Sequence, residues 1–242
     1  MSAFPQHFLL KMEMMRERVP GFDHYPFSLP VVRELTQLEF HPAVTFLVGE
    51  NGSGKSTLLE ALAIASGFNA EGGSRNFNFA TRESHSCLYE YLTVSRGYKK
   101  PRDGYFLRAE SFFNVATQVE QLGVSGYGPR PLHEQSHGES FWSLLMERFR
   151  GNGLYLLDEP EAALSPSRQM AMLVRMHDLI RDGSQFIIAT HSPIIMAYPN
   201  AVILQLADTG LEPVAYEETD HYRLTKRFLD HPAHSLSQLL DD

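Results

Sequence analysis

The chain has 242 residues, 43% of them apolar, enough for one large α/β domain or two small ones around a substantial core. Its 21 Lys and Arg against 29 Asp and Glu leave a net charge of −8, which argues against a broad nucleic-acid-coating surface but leaves room for a local basic patch. Cys87 is the only cysteine, so an intramolecular disulfide is excluded, and no apolar run reaches the roughly eighteen residues of a membrane span. With no signal-peptide pattern at the N-terminus, these features predict a soluble, cytoplasmic protein; docking on a membrane partner stays open.

In chain order, Phe8–Glu13 reads as a strand and Val32–Phe40 contains another. The segment between them holds Pro20, Gly21, Pro26 and Pro30 and reads as loop. Its aromatics Phe22, Tyr25 and Phe27 read first as packing over a sheet edge, with adenine stacking as the alternative. Val44–Val48 is a short apolar, β-branched run and predicts a buried strand. Gly49, Glu50, Asn51, Gly52, Ser53, Gly54, Lys55, Ser56 and Thr57 follow, matching G-x-x-x-x-G-K-[ST], the phosphate-binding loop. Glycines let the backbone turn its N–H groups onto phosphate oxygens. Lys55 brings positive charge to the β and γ phosphates, and the Ser56 hydroxyl suits Mg²⁺. Leu58, Leu59, Leu62 and Ala65 fall at helical spacing, with Gly67 as C-cap. Strand, loop and helix thus occur in the order that points a helix N-terminus at phosphate.

Residues 68–104 are weakly patterned. Asn69–Asn78 reads as loop, and the basic stretch Gly97–Gly104 as a solvated loop, with a ligand or nucleic-acid contact as the alternative. Tyr105–Ala109 predicts a strand. Glu110–Leu122 predicts a helix with Phe112, Val115, Ala116 and Val119 on one face, and Gly123–Pro131 a glycine-rich loop. A further helix carries Phe141, Leu144, Leu145 and Phe149 on one face. Leu154–Leu157 is a fully apolar strand, as in a sheet buried on both faces, and runs into Asp158-Glu159-Pro160. Ser165-Pro166 starts a helix as N-cap and first residue, with Met172, Leu173, Met176, Leu179 and Ile180 as its buried stripe. Gln185–Thr190 is another buried strand, followed by His191. Ala201–Leu206 and Pro213–Tyr216 predict two more, and the tail from Glu217 reads as helix interrupted at Pro232.

Three strand ends carry chemistry. Asp158, at the end of an apolar strand downstream of a phosphate loop, is placed to hold Mg²⁺. Glu159 next to it points elsewhere by strand alternation and suits a water-activating carboxylate. His191 ends the following strand, where an imidazole reaches a γ phosphate or the attacking water. His133-Glu-Gln-Ser-His137 also fits H-E-x-x-H, the zinc-protease pattern. It is preceded by a run of Gly and Pro and followed at once by Gly138, which disfavours the two-turn helix that zinc needs. The alternative third ligands, Glu159 and Glu161, are better explained by the nucleotide site.

The set resembles the ATP-binding-cassette ATPases, in particular their soluble SMC- and RecF-like branch of AAA-type ATPases. Gly49–Thr57 resembles the Walker A loop and Ser136-His-Gly-Glu139 the signature motif. Leu154–Pro160 resembles Walker B with its catalytic glutamate, Ala163-Leu-Ser165 the loop that crosses to a partner subunit, and Thr190–Pro193 the switch-histidine segment. His137 stands where the signature's first glycine is usual. No lid glutamine is evident; Glu110 marks its expected place. Between Gly67 and Leu132 there are too few residues, and no heptads, for an SMC coiled-coil arm.

The resemblance implies one α/β domain over residues 1–242: a P-loop NTPase with a mainly parallel central sheet, N-terminal antiparallel strands, and a helical signature insertion over about 68–150. It implies Mg²⁺-dependent ATP hydrolysis coupled to an ATP-dependent homodimer. Gly49–Thr57 would hold ATP, with Ser136 and Gly138 reaching it from the other subunit. Ser56 and Asp158 would hold Mg²⁺, and Glu159 and His191 would be catalytic. A slow-hydrolysing clamp on DNA or an effector protein is an alternative, as is the ATPase subunit of a transporter.

Overall fold

The computed structural model describes residues 7–74, 85–108 and 137–240. Among these the strands are β1 (Leu9–Met14), β2 (Gln37–Glu39), β3 (Val44–Val48), β4 (Gly73–Ser74), β5 (Leu92–Arg96), β6 (Asp103–Arg108), β7 (Gly153–Asp158), β8 (Gln185–Ala189), β9 (Val202–Ala207) and β10 (Gly210–Pro213). The helices are α1 (Pro30–Arg33), α2 (Lys55–Ala65), α3 (His137–Ser143), α4 (Pro166–Arg181), α5 (Pro193–Met196), α6 (Asp220–Asp230) and α7 (Pro232–Leu240).

The larger sheet runs in the order β10-β9-β3-β8-β7-β6-β4. Its inner five strands are parallel, and the edge strands β10 and β4 are antiparallel to their neighbours. A smaller antiparallel sheet has the order β2-β1-β5. Every residue of β3, β7 and β8 is buried, because these strands are covered on both faces, which is why they read as unbroken apolar runs. Alternation sends Phe46, Tyr155, Leu157, Phe186 and Ile188 into one core, closed by Phe141, Leu144 and Leu145 and by Met172, Met176 and Leu179 of α4. Leu47, Leu154, Leu156 and Ile187 face the other way, onto Leu58, Leu59 and Leu62 of α2 and onto β1 and β5. Helix α2 is therefore sandwiched between the sheets.

One side chain joins the two sheets. Gln185, 1% exposed at the start of β8, accepts from the N–H groups of Phe8 (3.0 Å) and Leu9 (2.9 Å) and donates to the carbonyls of Leu9 (2.9 Å) and His41 (3.0 Å). Replacing it by leucine strands buried backbone donors. Gln185→Leu is expected to lower stability by about 2–4 kcal/mol, on the order of 1–3 for each group left unpaired. Urea unfolding should show a lower midpoint with an unchanged slope; a midpoint equal to wild type would mean that the two sheets do not depend on this clip.

A turn at Cys87–Tyr91 packs beside α2. It is capped by Ser86, whose hydroxyl accepts from Leu88 N–H (3.1 Å). The Ser86 N–H in turn donates to Glu60 of α2 (3.0 Å), and Glu60 pairs with Arg108 at the end of β6. Cys87 itself is exposed.

The predicted strands at Val44–Val48, Leu154–Leu157, Gln185–Thr190 and Ala201–Leu206 form within a residue or two of their expected ends. Four local readings differ. Asn69–Asn78 is not all loop, since Gly73 and Ser74 pair with Phe106 and Tyr105. Strand β5 lies in the stretch that showed no pattern. The last strand falls at Gly210–Pro213 rather than Pro213–Tyr216: Gly210, at φ +112°, opens the return strand directly after β9, and Tyr216–Glu218 is a 3-10 turn. The helix over 141–149 begins earlier, at His137, and widens into a π turn over Leu144–Arg148. The Glu110–Leu122 helix, Ser136 and His133 lie outside the described residues. Within the expected 68–150 insertion, the described parts are β4, β5 and β6 and the helical stretch from His137 to Arg148. No helix among the described residues is long and apolar enough to cross a membrane.

Candidate functional site

The adjacent strands β3, β8 and β7 end side by side. Leu47 and Asp158 both register with Ala189, so the loop after β3, the His191 turn and the Asp158-Glu159 pair share one edge of the sheet. Ligands of open α/β sheets bind at such carboxyl edges.

The phosphate loop turns into α2 through Gly54, at φ +98°, where a Cβ would come within 2.8 Å of Val31; an L side chain is excluded by both backbone and space. Lys55 is 3% exposed, and its Nζ donates to the carbonyls of Gly49 (2.8 Å) and Glu50 (2.9 Å). Burial lowers its pKa from the ordinary lysine value, opposed by the carboxylates of Glu159, Asp158, Glu161 and Glu50. Ser56 Oγ donates to Asp158 Oδ1 at 3.0 Å across the gap between α2 and β7. Thr57 shares a 3.2 Å hydrogen bond with the hydroxyl of Tyr25. Phe27 is buried edge-on against Tyr91, and Phe22 lies under the Arg16 guanidinium. Of the three aromatics, Tyr25 alone stays largely exposed, at 63%, beside the loop. A cavity of about 450 Å³ borders Glu50–Ser53 and reaches Gln205 and Asp220.

Glu159 sits in the left-handed region at φ +50°, ψ +54°, a conformation that costs a non-glycine residue about 1 kcal/mol. Its N–H donates to Ala189 O (2.9 Å), and its carbonyl accepts from Ala162 N–H (3.1 Å). These bonds and Pro160 turn its carboxylate toward His191, whose Nε2 lies 3.2 Å from Glu159 Oε1. The backbone N–H of His191 donates to Glu161 Oε1 at 2.5 Å. The opposite ring nitrogen, Nδ1, lies 2.9 Å from Nε2 of His221 on α6. Burial first, then the charges of Lys55 and His221, lower the His191 pKa against the pull of Glu159, so the ring is neutral near pH 7. Burial pushes the Glu161 carboxyl up, opposed by its hydrogen bonds.

Buried Gln169 links the neighbouring loops: Ser192 Oγ donates to its Oε1 (2.5 Å), and its Nε2 donates to Leu164 O (2.9 Å). A Cβ on Gly138 would meet Ala163 O at 2.8 Å and Arg168 Nη1 at 3.2 Å. The start of α3 therefore packs on Ala163 and Arg168 of its own chain. The structure thus gathers Lys55, Ser56, Asp158, Glu159 and His191, places Gly138 against Ala163, and leaves Ser136 outside the described residues. No sequence signal pointed to His221, which reaches the site from thirty residues beyond His191.

No group of three or more His, Cys, Asp and Glu among the described residues is arranged to hold a metal ion by itself. The pair Ser56 and Asp158 fits Mg²⁺ instead, because that ion is commonly held by one or two side chains together with phosphate oxygens and water.

Comparison with known proteins fits this geometry. The family profile described as "AAA domain, putative AbiEii toxin, Type IV TA system" matches residues 88–197, and an "AAA domain" profile matches residues 25–120. The cytochrome c biogenesis ATP-binding export protein CcmA of Rhodopseudomonas palustris (strain BisB5) is 30% identical over 164 residues, covering 62% of this chain and 79% of that protein. The chain belongs to the ATP-binding-cassette ATPases. ABC transporter G family member STR2 of Medicago truncatula is also 30% identical, over 69% of this chain; this cassette ATPase spans only 26% of that protein's length. The solved SMC head domain from Thermotoga maritima overlays at a TM-score of 0.44 and 16% identity, over 86% of this chain and 99% of that one.

Proposed function

We propose that this cassette ATPase hydrolyses ATP with Mg²⁺ as a single domain, and that two ATP-loaded chains close on each other as a switch. What carries the reading is the shared edge of β3, β8 and β7, with Ser56 3.0 Å from Asp158 and His191 3.2 Å from Glu159. In this reading the N–H groups of Gly49–Thr57 and the Lys55 ammonium bind the phosphates, and Tyr25 is the exposed aromatic beside them. Ser56 and Asp158 hold Mg²⁺, which supplies charge neutralisation to the departing phosphates. Glu159 orients a water and accepts its proton at the carboxylate. The neutral His191 ring donates from Nε2 to the γ phosphate or the water.

Gly138, which packs on Ala163 at the start of the Ala163–Ser165 loop, is assigned a role across the interface. The partner reading is tested with Ser136→Arg, which should still bind ATP as a monomer but should neither dimerise nor hydrolyse. An Arg variant that hydrolyses ATP normally would make Ser136-His-Gly-Glu139 an ordinary helix start. The effector moved by the switch is a protein or DNA. The transport roles named for the curated relatives support a second reading, an ATPase subunit of a transporter, which co-purification with a membrane protein would favour.

A further inference from the structure

We propose that His221, contributed by helix α6, is a positioning residue that helps fix the tautomer and orientation of His191 and so couples this helix to ATP hydrolysis. The inference rests on the catalytic reading of Glu159 and His191 given above.

Three groups form one line: Glu159 Oε1, the His191 ring and His221 Nε2, joined at 3.2 and 2.9 Å. The two imidazoles meet at 62° with centroids 4.9 Å apart, so His221 approaches the edge of the His191 ring rather than its face. A neutral imidazole has one donor and one acceptor nitrogen, and the hydrogen bond at one sets the role of the other. If His221 donates from Nε2, His191 Nδ1 is the acceptor, and the His191 proton must sit on Nε2. That nitrogen faces Glu159. Glu159 favours the same tautomer from the Nε2 side, and His221 adds to it from the other; without His221, Nδ1 carries the proton more often, and in that tautomer Nε2 has none for a phosphate oxygen. The other charged neighbours of His191 do not set this choice. Lys55 acts on the ring only as a nearby charge, and Glu161 binds the backbone N–H rather than the ring.

Helix α6 is built to hold His221 in place at its first turn and at little else. Thr219, fully buried, caps the helix by accepting from Tyr222 N–H (3.3 Å). Asp220 accepts from Gln205 of β9 (2.9 Å). Tyr222 packs on Tyr216, with centroids 4.7 Å apart, and the Tyr216 hydroxyl donates to Pro193 O, two residues after His191 (2.8 Å). Beyond Tyr222 every residue of α6 is exposed. The helix also roofs a cavity of about 560 Å³ whose walls include His191, Ile194, Tyr216 and Leu229. A displaced α6 would withdraw His221 without unpacking the core.

The test is steady-state ATPase kinetics on the full chain with His221→Ala and His221→Gln, beside Glu159→Gln. Glutamine can place an amide N–H where Nε2–H stands. His221→Ala is expected to lower kcat on the order of tenfold, as removing an outer partner of a functional histidine does. KM for ATP should stay within about twofold and the melting temperature unchanged, with His221→Gln recovering most of the loss. Wild-type kcat in His221→Ala, or equal losses in both variants, would overturn the proposal while leaving the catalytic reading intact, provided Glu159→Gln is inactive. Wild-type turnover in Glu159→Gln would overturn both.

Discussion

Lys55→Ala loses tight ATP binding. The ammonium is buried, and its two partners in the loop, the carbonyls of Gly49 and Glu50, lie on the turn that the phosphates would enter. Truncating one member of a buried charge pair costs about 2–5 kcal/mol, which is roughly 30- to 5,000-fold in Kd. The remaining loop amides still point at the site, so residual weak binding is expected rather than none. Calorimetric titration of ATP with Mg²⁺, on protein whose circular dichroism matches wild type, reads the effect. Unchanged affinity and turnover would sink the phosphate-loop assignment, because no other lysine lies in that loop.

Glu159→Gln keeps ATP binding and loses turnover, by roughly the 10²–10⁴-fold of a positioned general base. Glutamine preserves the size of the side chain and can still bond His191, but it lacks the basic oxygen. The left-handed backbone at Glu159 is fixed by Ala189 O, Ala162 N–H and Pro160, so the substitution should leave the loop where it is. Removing one negative charge from a site that also holds Asp158 and Glu161 also eases the approach of a second ATP-loaded chain. Size-exclusion chromatography should therefore show a dimer with ATP and Mg²⁺ and a monomer without. Wild-type turnover in a protein that stays monomeric with ATP would refute both the catalytic role and the switch.

How far the site could be read from the sequence depended on how its parts are held. Val44–Val48, Leu154–Leu157 and Gln185–Thr190 were legible because strands buried on both faces need apolar residues at every position, and their chemistry sits at the next residue along. Leu92–Arg96 was not, because it lies in the small antiparallel sheet with only Leu92 buried, and its alternation lasts four residues before Arg96 breaks it. Tyr216 fooled the strand reading because an aromatic after a short apolar run fits a strand, yet its ring is used against Tyr222. His221 was invisible for a different reason. It lies on a helix with no buried residue, so no core-facing stripe marks it, and only the folded chain brings it to His191. Gly138 was legible as part of a motif, but its contact with the Ala163 carbonyl was not.

Exposed Cys87 bears on every experiment that counts subunits. Two such thiols on colliding chains oxidise in air to an intermolecular disulfide, giving a covalent pair that is indifferent to nucleotide. Such a pair would elute where the ATP-clamped dimer is expected, survive EDTA, and disappear with dithiothreitol. The same thiol, unique in the chain and seated on the turn beside α2, offers a single attachment point for a dye, so that dimer closure can be followed by fluorescence in solution without adding any new cysteine.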